Sequence, residues 1–387
     1  MGMREDFVYV REPGALTAAC NRLAGADVLC VDTEFLRDKT YYPKLCLVQI
    51  AADDEVLCID PLAVGELTPL LDLLYDPGNI KVFHAARQDL EIFYHLRGAL
   101  PAPVFDTQIA AALLGANDQI GYGALVQQVL GVELDKAHSR TDWSARPLQP
   151  EQLQYAAEDV IHLCRLYERQ VQILGERGRL DWLREDFATL TDPATYAPDP
   201  DGIWRRLKDV RRLKGVQLAA LQRLAAWREH HAMASDRPRR WIVRDEILVD
   251  LARHMPASMA AMGRIRGLEE RLLQRHGGTL LGLLQEAREL PREDWPTLEP
   301  RRILEPHQDA LVDAMMAIVR LRATEESLSP AMLATRATLE RLVAGDPDAA
   351  VLHGWRAALV GCSLQEFAEG RAALEVRNGR LGLASPP

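Results

Sequence analysis

Residues 28–35 read VLCVDTEF, an apolar run into which two carboxylates, Asp32 and Glu34, are set two positions apart. The Val and Leu content and the short length predict a β-strand, and side-chain alternation along a strand puts both acids on one face. Two like charges side by side in an otherwise buried strand are costly unless a cation or a shared proton neutralises them. A D-x-E pair is also what a solvated strand end looks like, so the stretches around it must decide.

Apolar runs at residues 45–52, 55–60 and 81–85 are separated by turn residues such as Asp53-Asp54 and predict further strands, the two short gaps favouring an antiparallel meander. After Asp89 the pattern becomes helical. Asp106 is placed to N-cap residues 107–114, and Pro150 opens a helix that runs to about residue 171. Strands followed by helices give an α/β first domain. Asp89 opens a helix just after a strand, where the positive end of the helix dipole favours a carboxylate, so by itself it reads as a cap. Tyr155 and Asp159 are four apart and share one helix face, which by itself reads as an amphipathic surface. In the order DxE, D, YxxxD, the acids are much harder to dismiss together.

The full chain of 387 residues is long enough for two or three domains, and its 48% apolar and 26% charged residues are those of a water-soluble protein. Arg4, Glu5 and Asp6 stand where a signal peptide needs an apolar core, and no long uncharged apolar run occurs, so neither secretion nor membrane insertion is expected. The six cysteines form no CxxC pair and are expected to be buried reduced thiols, which points to the cytoplasm. The net charge of −10 is unevenly spread: residues 1–190 hold 17 Lys and Arg against 29 Asp and Glu, residues 203–290 hold 18 against 10. An acidic block that needs cations is joined to a basic block that suits polyanions.

Residues 191–202, including DPATYAPDPDG, contain three prolines and read as a linker. Everything beyond is expected to be helical. Residues 247–256 (ILVDLARHMP) resemble 338–347 (TLERLVAGDP), each after a longer amphipathic helix, which suggests two related helical domains at 203–290 and 291–376. Residues 377–387 are expected to be a disordered tail. In the first helical domain, RRLKDVRRLK (205–214) and the group Arg237, Arg239 and Arg240 beside Trp241 suit an RNA grip, with arginines on phosphates and the indole on an unpaired base.

VDTEF (31–35), HAARQD (84–89) and YAAED (155–159) resemble the three exonuclease motifs of the DEDD superfamily, in its tyrosine branch. FDTQIAAALLG (105–115), LGVELDKAHSRTDWSARPL (130–148) and the helical half narrow the resemblance to the ribonuclease D family, with two HRDC-type domains, the second more divergent and carried by GWRAALVG (354–361) and the repeat. The resemblance implies an RNase H-like α/β exonuclease domain, a mixed sheet flanked by helices, followed by two all-α HRDC domains. It further implies that Asp32, Glu34, Asp89 and Asp159 bind two divalent cations, Mg²⁺ or Mn²⁺, with Asp32 bridging both, Glu34 and Asp159 completing one site and Asp89 serving the other. Hard ions prefer such oxygen ligands, and a pair of them can stabilise both attacking and leaving oxygens of an in-line displacement. Tyr155 would orient the attacking water, since a phenol with a pKa near 10 is a poor base at neutral pH. The implied activity is 3′-to-5′ hydrolysis of RNA, tRNA precursors included, by a monomer that releases 5′-mononucleotides.

Other residues invite weaker readings. His84 suits a structural hydrogen bond better than a metal, and His162, which continues the Tyr155 stripe, is read the same way. His230 and His231 diverge by about 100° on a helix and are expected to face solvent. Phe35, Leu36 and Trp143 could each wedge a terminal base or fill the core. Gly121-Tyr122-Gly123 lacks the third glycine of a dinucleotide loop, and the absence of a P-loop motif argues against ATP. Two alternatives remain at this stage, a 3′-to-5′ DNA exonuclease and a non-catalytic nucleic-acid-binding HRDC protein.

Overall fold

A computed structural model describes residues 7–134, 141–299 and 304–384. Strands β1 (Val8–Val10), β2 (Val28–Leu36), β3 (Lys44–Ala52), β4 (Glu55–Ile59), β5 (Ile80–Phe83) and β6 (Val104–Asp106) form one sheet in the order β1-β4-β3-β2-β5-β6. The pairing is mixed. β3 and β4 are antiparallel, as the short Asp53-Asp54 turn dictates, whereas β1 runs parallel to β4, and β5 runs parallel to both β2 and β6. β3 is buried from Leu45 to Ala52, so its side chains are apolar on both faces, Gln49 excepted, rather than alternating. β1 and β6 are three-residue strands too short to stand out in the sequence.

Between and after the strands lie α1 (Pro13–Leu23), α2 (Pro61–Val64), α3 (Thr68–Leu74), α4 (Arg87–Arg97), α5 (Thr107–Ala112), α6 (Tyr122–Leu130), α7 (Pro150–Glu176) and α8 (Leu183–Leu190). No described helix is long and apolar enough to cross a membrane. Asp106, expected only as a cap, does more. Its buried carboxylate accepts from Gln108 N and Ile109 N at the start of α5, and also from Ala85 N (3.1 Å) and Ala86 N (2.9 Å) in the turn that opens α4. That turn holds Ala85 at φ 56°, a left-handed conformation that costs a non-glycine residue energy and needs such partners.

The remaining elements are α9 (Val216–Ala234), α10 (Arg239–Ile242), α11 (Asp245–His254), α12 (Met259–Met262), α13 (Glu270–Glu289), α14 (Pro306–Glu326), α15 (Pro330–Leu333), α16 (Arg336–Val343), α17 (Gly354–Arg356) and α18 (Cys362–Ala368), then strands β7 (Ala373–Arg377) and β8 (Arg380–Ala384). Two compact units result. One gathers the chain up to Glu34, Leu45–Thr195 and the segment from residue 304 on; the other gathers Phe35–Lys44 with the chain from Tyr196 to residue 299. In the first unit the C-terminal helices pack on the sheet domain through a stacked Trp182–Trp355 pair (4.7 Å between centroids), Arg356 on Asp186 (2.8 Å) and Ser329 N on Ala112 O (2.9 Å). Gly115, at φ 94°, admits that contact, because a Cβ there would lie 3.0 Å from the Ser327 carbonyl oxygen.

The second unit is built around α9, α11 and α13, and it also holds the loop that follows Glu34. The Tyr41 hydroxyl donates to Glu229, which Arg239 grips, and the amides of Tyr41 and Tyr42 donate to Asp236 Oδ1 at 3.0 and 3.1 Å. Arg239, expected on RNA, is therefore spent inside the unit.

Three expectations fail. Residues 377–384 are not a disordered tail, and the C-terminal domain is not all helical, because β7 and β8 pair as an antiparallel hairpin about Asn378-Gly379. Both turn residues have positive φ, the Asn-Gly preference of a two-residue hairpin turn, and Leu374, Val376, Leu381 and Leu383 flank it with strand alternation. Residues 385–387 of that expectation lie outside the described ones. Nor are all thiols reduced: β2 and α7 bring the Cα atoms of Cys30 and Cys164 to 5.7 Å, and the two are joined by a disulfide across 134 residues of sequence. Cys20, Cys46 and Cys58 lie outside that disulfide and are buried, as expected, and Cys362, also outside it, is exposed.

Replacing Asp106 by Ala removes one helix cap and leaves the Ala85 and Ala86 amides without their partner, so the sheet-containing unit should lose about 2–4 kcal/mol. Urea unfolding followed by far-UV circular dichroism checks this; an unchanged midpoint would show that Asp106 does not hold the α4 turn.

Candidate active site

β2 delivers Asp32 and Glu34 to one face, as its pleat requires, and α7 presents Asp159 to the same place. The ligand oxygens of these three carboxylates lie within 4.8 Å of one another. Asp89, in the first turn of α4, is 7% exposed and accepts a hydrogen bond from the Thr33 hydroxyl, the residue between the two strand acids. Tyr155, one turn before Asp159 on α7, hydrogen-bonds to that carboxylate. Asp32, Glu34 and Asp159 thus form one cluster, with Asp89 joined to it through Thr33 and Tyr155 through Asp159.

They line, with the exception of Asp89, a cavity of about 330 Å³ whose walls also include Thr33, His84, Tyr122 and Gly123. Tyr122 is the residue that sequence reasoning missed. Its hydroxyl donates to the Asp159 backbone carbonyl, and its ring meets His84 edge-on at 5.4 Å. The signal was the GYG stretch, which fails as a dinucleotide loop yet starts α6 beside the cavity. His84 engages protein with both ring nitrogens, Nδ1 with Thr107 Oγ1 (3.0 Å) and Nε2 with Ile120 O (3.1 Å), so its expected structural role stands. His162 does not line the cavity; burial lowers its pKa. Phe35 and Leu36 fall in the second unit and are not among the lining residues either. Trp143 is 2% exposed and backs the Tyr155 ring, with centroids 6.3 Å apart, so it is a core residue beside the site.

Burial and mutual repulsion dominate the electrostatics. Burial pushes Asp32 up to about 6, partly offset by the Thr33 amide. Glu34 is pushed up to about 9 by burial and by the charges of Asp32, Asp159 and Asp89. Asp89 and Asp159 are held well above the usual carboxylate range, chiefly by burial and then by Asp32. An all-oxygen donor set that resists ionising alone is suited to a hard divalent cation, which replaces the protons as the neutralising charge.

In the second unit a separate cleft of about 460 Å³ is lined by Arg237, Arg240, Arg244, Arg271 and Arg275 together with Trp241. Among the described residues none of these five arginines is paired with a carboxylate, and Trp241 is 54% exposed. The run at 205–214 is less available: Arg205 covers the Trp204 ring, Arg211 donates to Glu299 O and Arg212 pairs with Asp209. His231, expected in solvent, instead stacks on Trp227 and meets His276 at 4.9 Å between centroids.

Residues 7–174 match the 3′-5′ exonuclease family and residues 217–284 match the HRDC domain. The mixed sheet and its carboxylates thus define a 3′-5′ exonuclease of the DEDD type, a class that works with divalent metal. Ribonuclease D of Gluconacetobacter diazotrophicus is 41% identical over 382 residues, covering 97% of this chain and 96% of that one. Ribonuclease D of Sphingobium indicum is 40% identical over 377 residues, with 96% and 97% covered. A crystal structure of Escherichia coli RNase D, described as an exoribonuclease involved in structured RNA processing, superposes with a TM-score of 0.84 at 31% identity, over 94% of this chain and 99% of that one. The chain belongs to the ribonuclease D family, and it is an exoribonuclease.

The raised carboxyl pKa values set a testable pH dependence. Without metal, the folded cluster retains protons that the unfolded chain gives up near its ordinary values of 3.8 and 4.5, so the folded state binds more protons and stability falls as pH rises, for Asp32 up to about 6 and for Glu34 up to about 9. Melting in EDTA should therefore move to lower temperature between pH 5 and 9, and saturating Mn²⁺ should flatten the dependence. A pH-independent melt in EDTA would contradict the clustering of these acids.

Proposed function

We propose that the chain removes nucleotides one at a time from the 3′ ends of structured RNA, tRNA precursors included, releasing 5′-mononucleotides. In this reading Asp32, Glu34, Asp89 and Asp159 hold two divalent ions, Mg²⁺ or Mn²⁺. The observation that carries it is the convergence of Asp32, Glu34 and Asp159 oxygens within 4.8 Å on the wall of a cavity, with the Tyr155 hydroxyl on Asp159. When bound, the ions would supply Lewis-acid stabilisation of the attacking and departing oxygens.

The protein groups do the positioning. Burial, then the charges of Asp159, Glu34 and Asp32, raise the Tyr155 pKa, so the phenol keeps its proton at neutral pH and gives it to Asp159 as a hydrogen bond. In this role its oxygen accepts a proton of the attacking water and aims that water's oxygen at the terminal phosphorus. Thr33 fixes Asp89 by its hydroxyl, and Tyr122 fixes the backbone at Asp159. The labour divides along the sequence boundaries, with the chemistry in residues 1–190 and the helical segments 203–290 and 291–376 as HRDC-type auxiliaries. The five cleft arginines, none paired with a carboxylate among the described residues, and the exposed Trp241 support RNA binding by the first of these, with phosphates on the guanidinium groups and a base on the indole.

Incubating end-labelled RNA and matched DNA with and without Mg²⁺ or Mn²⁺ tests the activity; 5′-mononucleotides should come from RNA, and only with metal. Asp32→Ala and Asp159→Ala should abolish hydrolysis, while Tyr155→Phe keeps metal binding and lowers kcat about 10²–10⁴-fold. Near-normal turnover in Asp32→Ala would remove the two-metal reading. For the cleft, each arginine replaced by Ala should flatten the slope of log affinity against log salt by about 0.7 if it contacts a phosphate of single-stranded RNA. Trp241→Ala should cost about 1–3 kcal/mol of RNA binding. Unchanged slopes in Arg240→Ala and Arg271→Ala would show that the cleft does not hold RNA.

A further inference from the structure

Arg146 uses every N–H it has. Nε donates to Asp60 Oδ2 (2.6 Å), Nη2 to Asp60 Oδ1 and to Cys46 O (both 2.7 Å), and Nη1 to Trp143 O (2.7 Å) and Ala145 O (2.8 Å). A guanidinium has five such donors, and all five are spent on protein. Asp60, whose side chain is 1% exposed, is equally committed: it also accepts from Tyr9 Oη (2.7 Å) and from the Leu62 and Ala63 amides that begin α2. Asp60 directly follows β4, and Cys46 lies in β3, so the guanidinium fastens residues 143–146 to the sheet just before α7 begins.

Those residues matter because of what they touch. Trp143, whose carbonyl Arg146 holds, packs its buried ring against that of Tyr155 at 6.3 Å, with the planes tilted by 31°. Tyr155 in turn must keep its hydroxyl on Asp159. A chain of fixed contacts therefore runs from the sheet through Asp60, Arg146 and Trp143 to the phenol. Charge alone does not explain it, since a buried ion pair is weak support for stability, whereas a planar five-donor fork fixes geometry that a lysine cannot reproduce.

We infer that Arg146 is a positioning residue for catalysis, holding Trp143 so that Tyr155 keeps its aim at the attacking water. The inference rests on the role given to Tyr155 above. The partners of Arg146 are Asp60 and three backbone carbonyls, not Asp32, Glu34, Asp89 or Asp159, so its effect reaches the chemistry through Tyr155.

The test is a double-mutant cycle on full-length protein with RNA and Mn²⁺. Arg146→Lys keeps a positive charge beside Asp60 but releases the Trp143 and Ala145 carbonyls. It should lower kcat about 10–100-fold, in line with the cost of a small misplacement near a reacting group, and leave KM within about twofold. In a Tyr155→Phe background the same change should cost less than about threefold, because the group it positions has gone. Hydrogen exchange gives a second readout: amides of residues 143–149 should exchange faster in Arg146→Lys, with those of β4 unchanged. Should Arg146→Lys not fold, Trp143→Phe keeps the guanidinium contacts and should show a smaller kcat loss that also vanishes with Tyr155→Phe. Equal kcat losses in both backgrounds, or unchanged exchange at 143–149, would overturn the inference while leaving Tyr155 its role. Full activity of Tyr155→Phe alone would overturn both.

Discussion

Carboxylates brought together out of water repel one another, and the strength of that repulsion is set by how firmly the fold forbids them to move apart. Here β2 supplies two, α4 one and α7 one, and none can retreat: Asp89 is tied to Thr33, Asp159 to Tyr155, and the strand acids to the pleat of a buried sheet. The protein on its own can reduce the charge only by keeping protons, which is why Glu34 is pushed up to about 9. In the proposed two-metal reading a divalent cation would replace those protons, so that the destabilisation of the bare cluster and its affinity for metal would be one property.

Much of the supporting structure can be understood as holding that arrangement against its own repulsion. Asp106 stabilises the left-handed turn at Ala85 from which α4 carries Asp89 into place, and it does so by accepting four amides at once. Arg146 and Asp60 fasten the approach to α7, which carries both Tyr155 and Asp159. The C-terminal helices add weight to the same unit by docking Trp355 and Arg356 on α8 and its preceding turn. The contacts that brace the cluster are drawn from residues distant in sequence.

That distance explains what the sequence disclosed. Asp32 with Glu34, and Tyr155 with Asp159, were legible because each pair is spaced by the period of the element that carries it, two for a strand and four for a helix turn. The family motifs supplied the convergence that no local period contains. The Asp60–Arg146 pair is separated by 86 positions and the Cys30–Cys164 disulfide by 134, and nothing in either neighbourhood announces the partner. Tyr122 was hidden for another reason: its hydroxyl acts through a backbone carbonyl, an acceptor that every residue carries. The C-terminal hairpin, by contrast, is legible in the sequence, since Asn378-Gly379 between alternating apolar residues is a local turn signal that the polar composition of the tail conceals.

The basic half shows why density of charge is a poor guide to its availability. RRLKDVRRLK is the most cationic stretch of the helical region, yet Arg205, Arg211 and Arg212 are each occupied by an aromatic ring, a carbonyl or a carboxylate of their own unit. Arg239 looks in sequence like its neighbours Arg237 and Arg240, but it is consumed by Glu229 and Tyr41, and so serves the fold rather than a ligand. The five arginines of the cleft, which have no carboxylate partner among the described residues, come from separate stretches, Arg237 and Arg240, Arg244, and Arg271 and Arg275, and converge only when α10, α11 and α13 pack. A guanidinium already neutralised at home gains little from a phosphate, because it must give up one partner to take the other. An anion-binding surface is therefore defined by the positive charges the fold declines to pair, and these can be found only after the pairing is known.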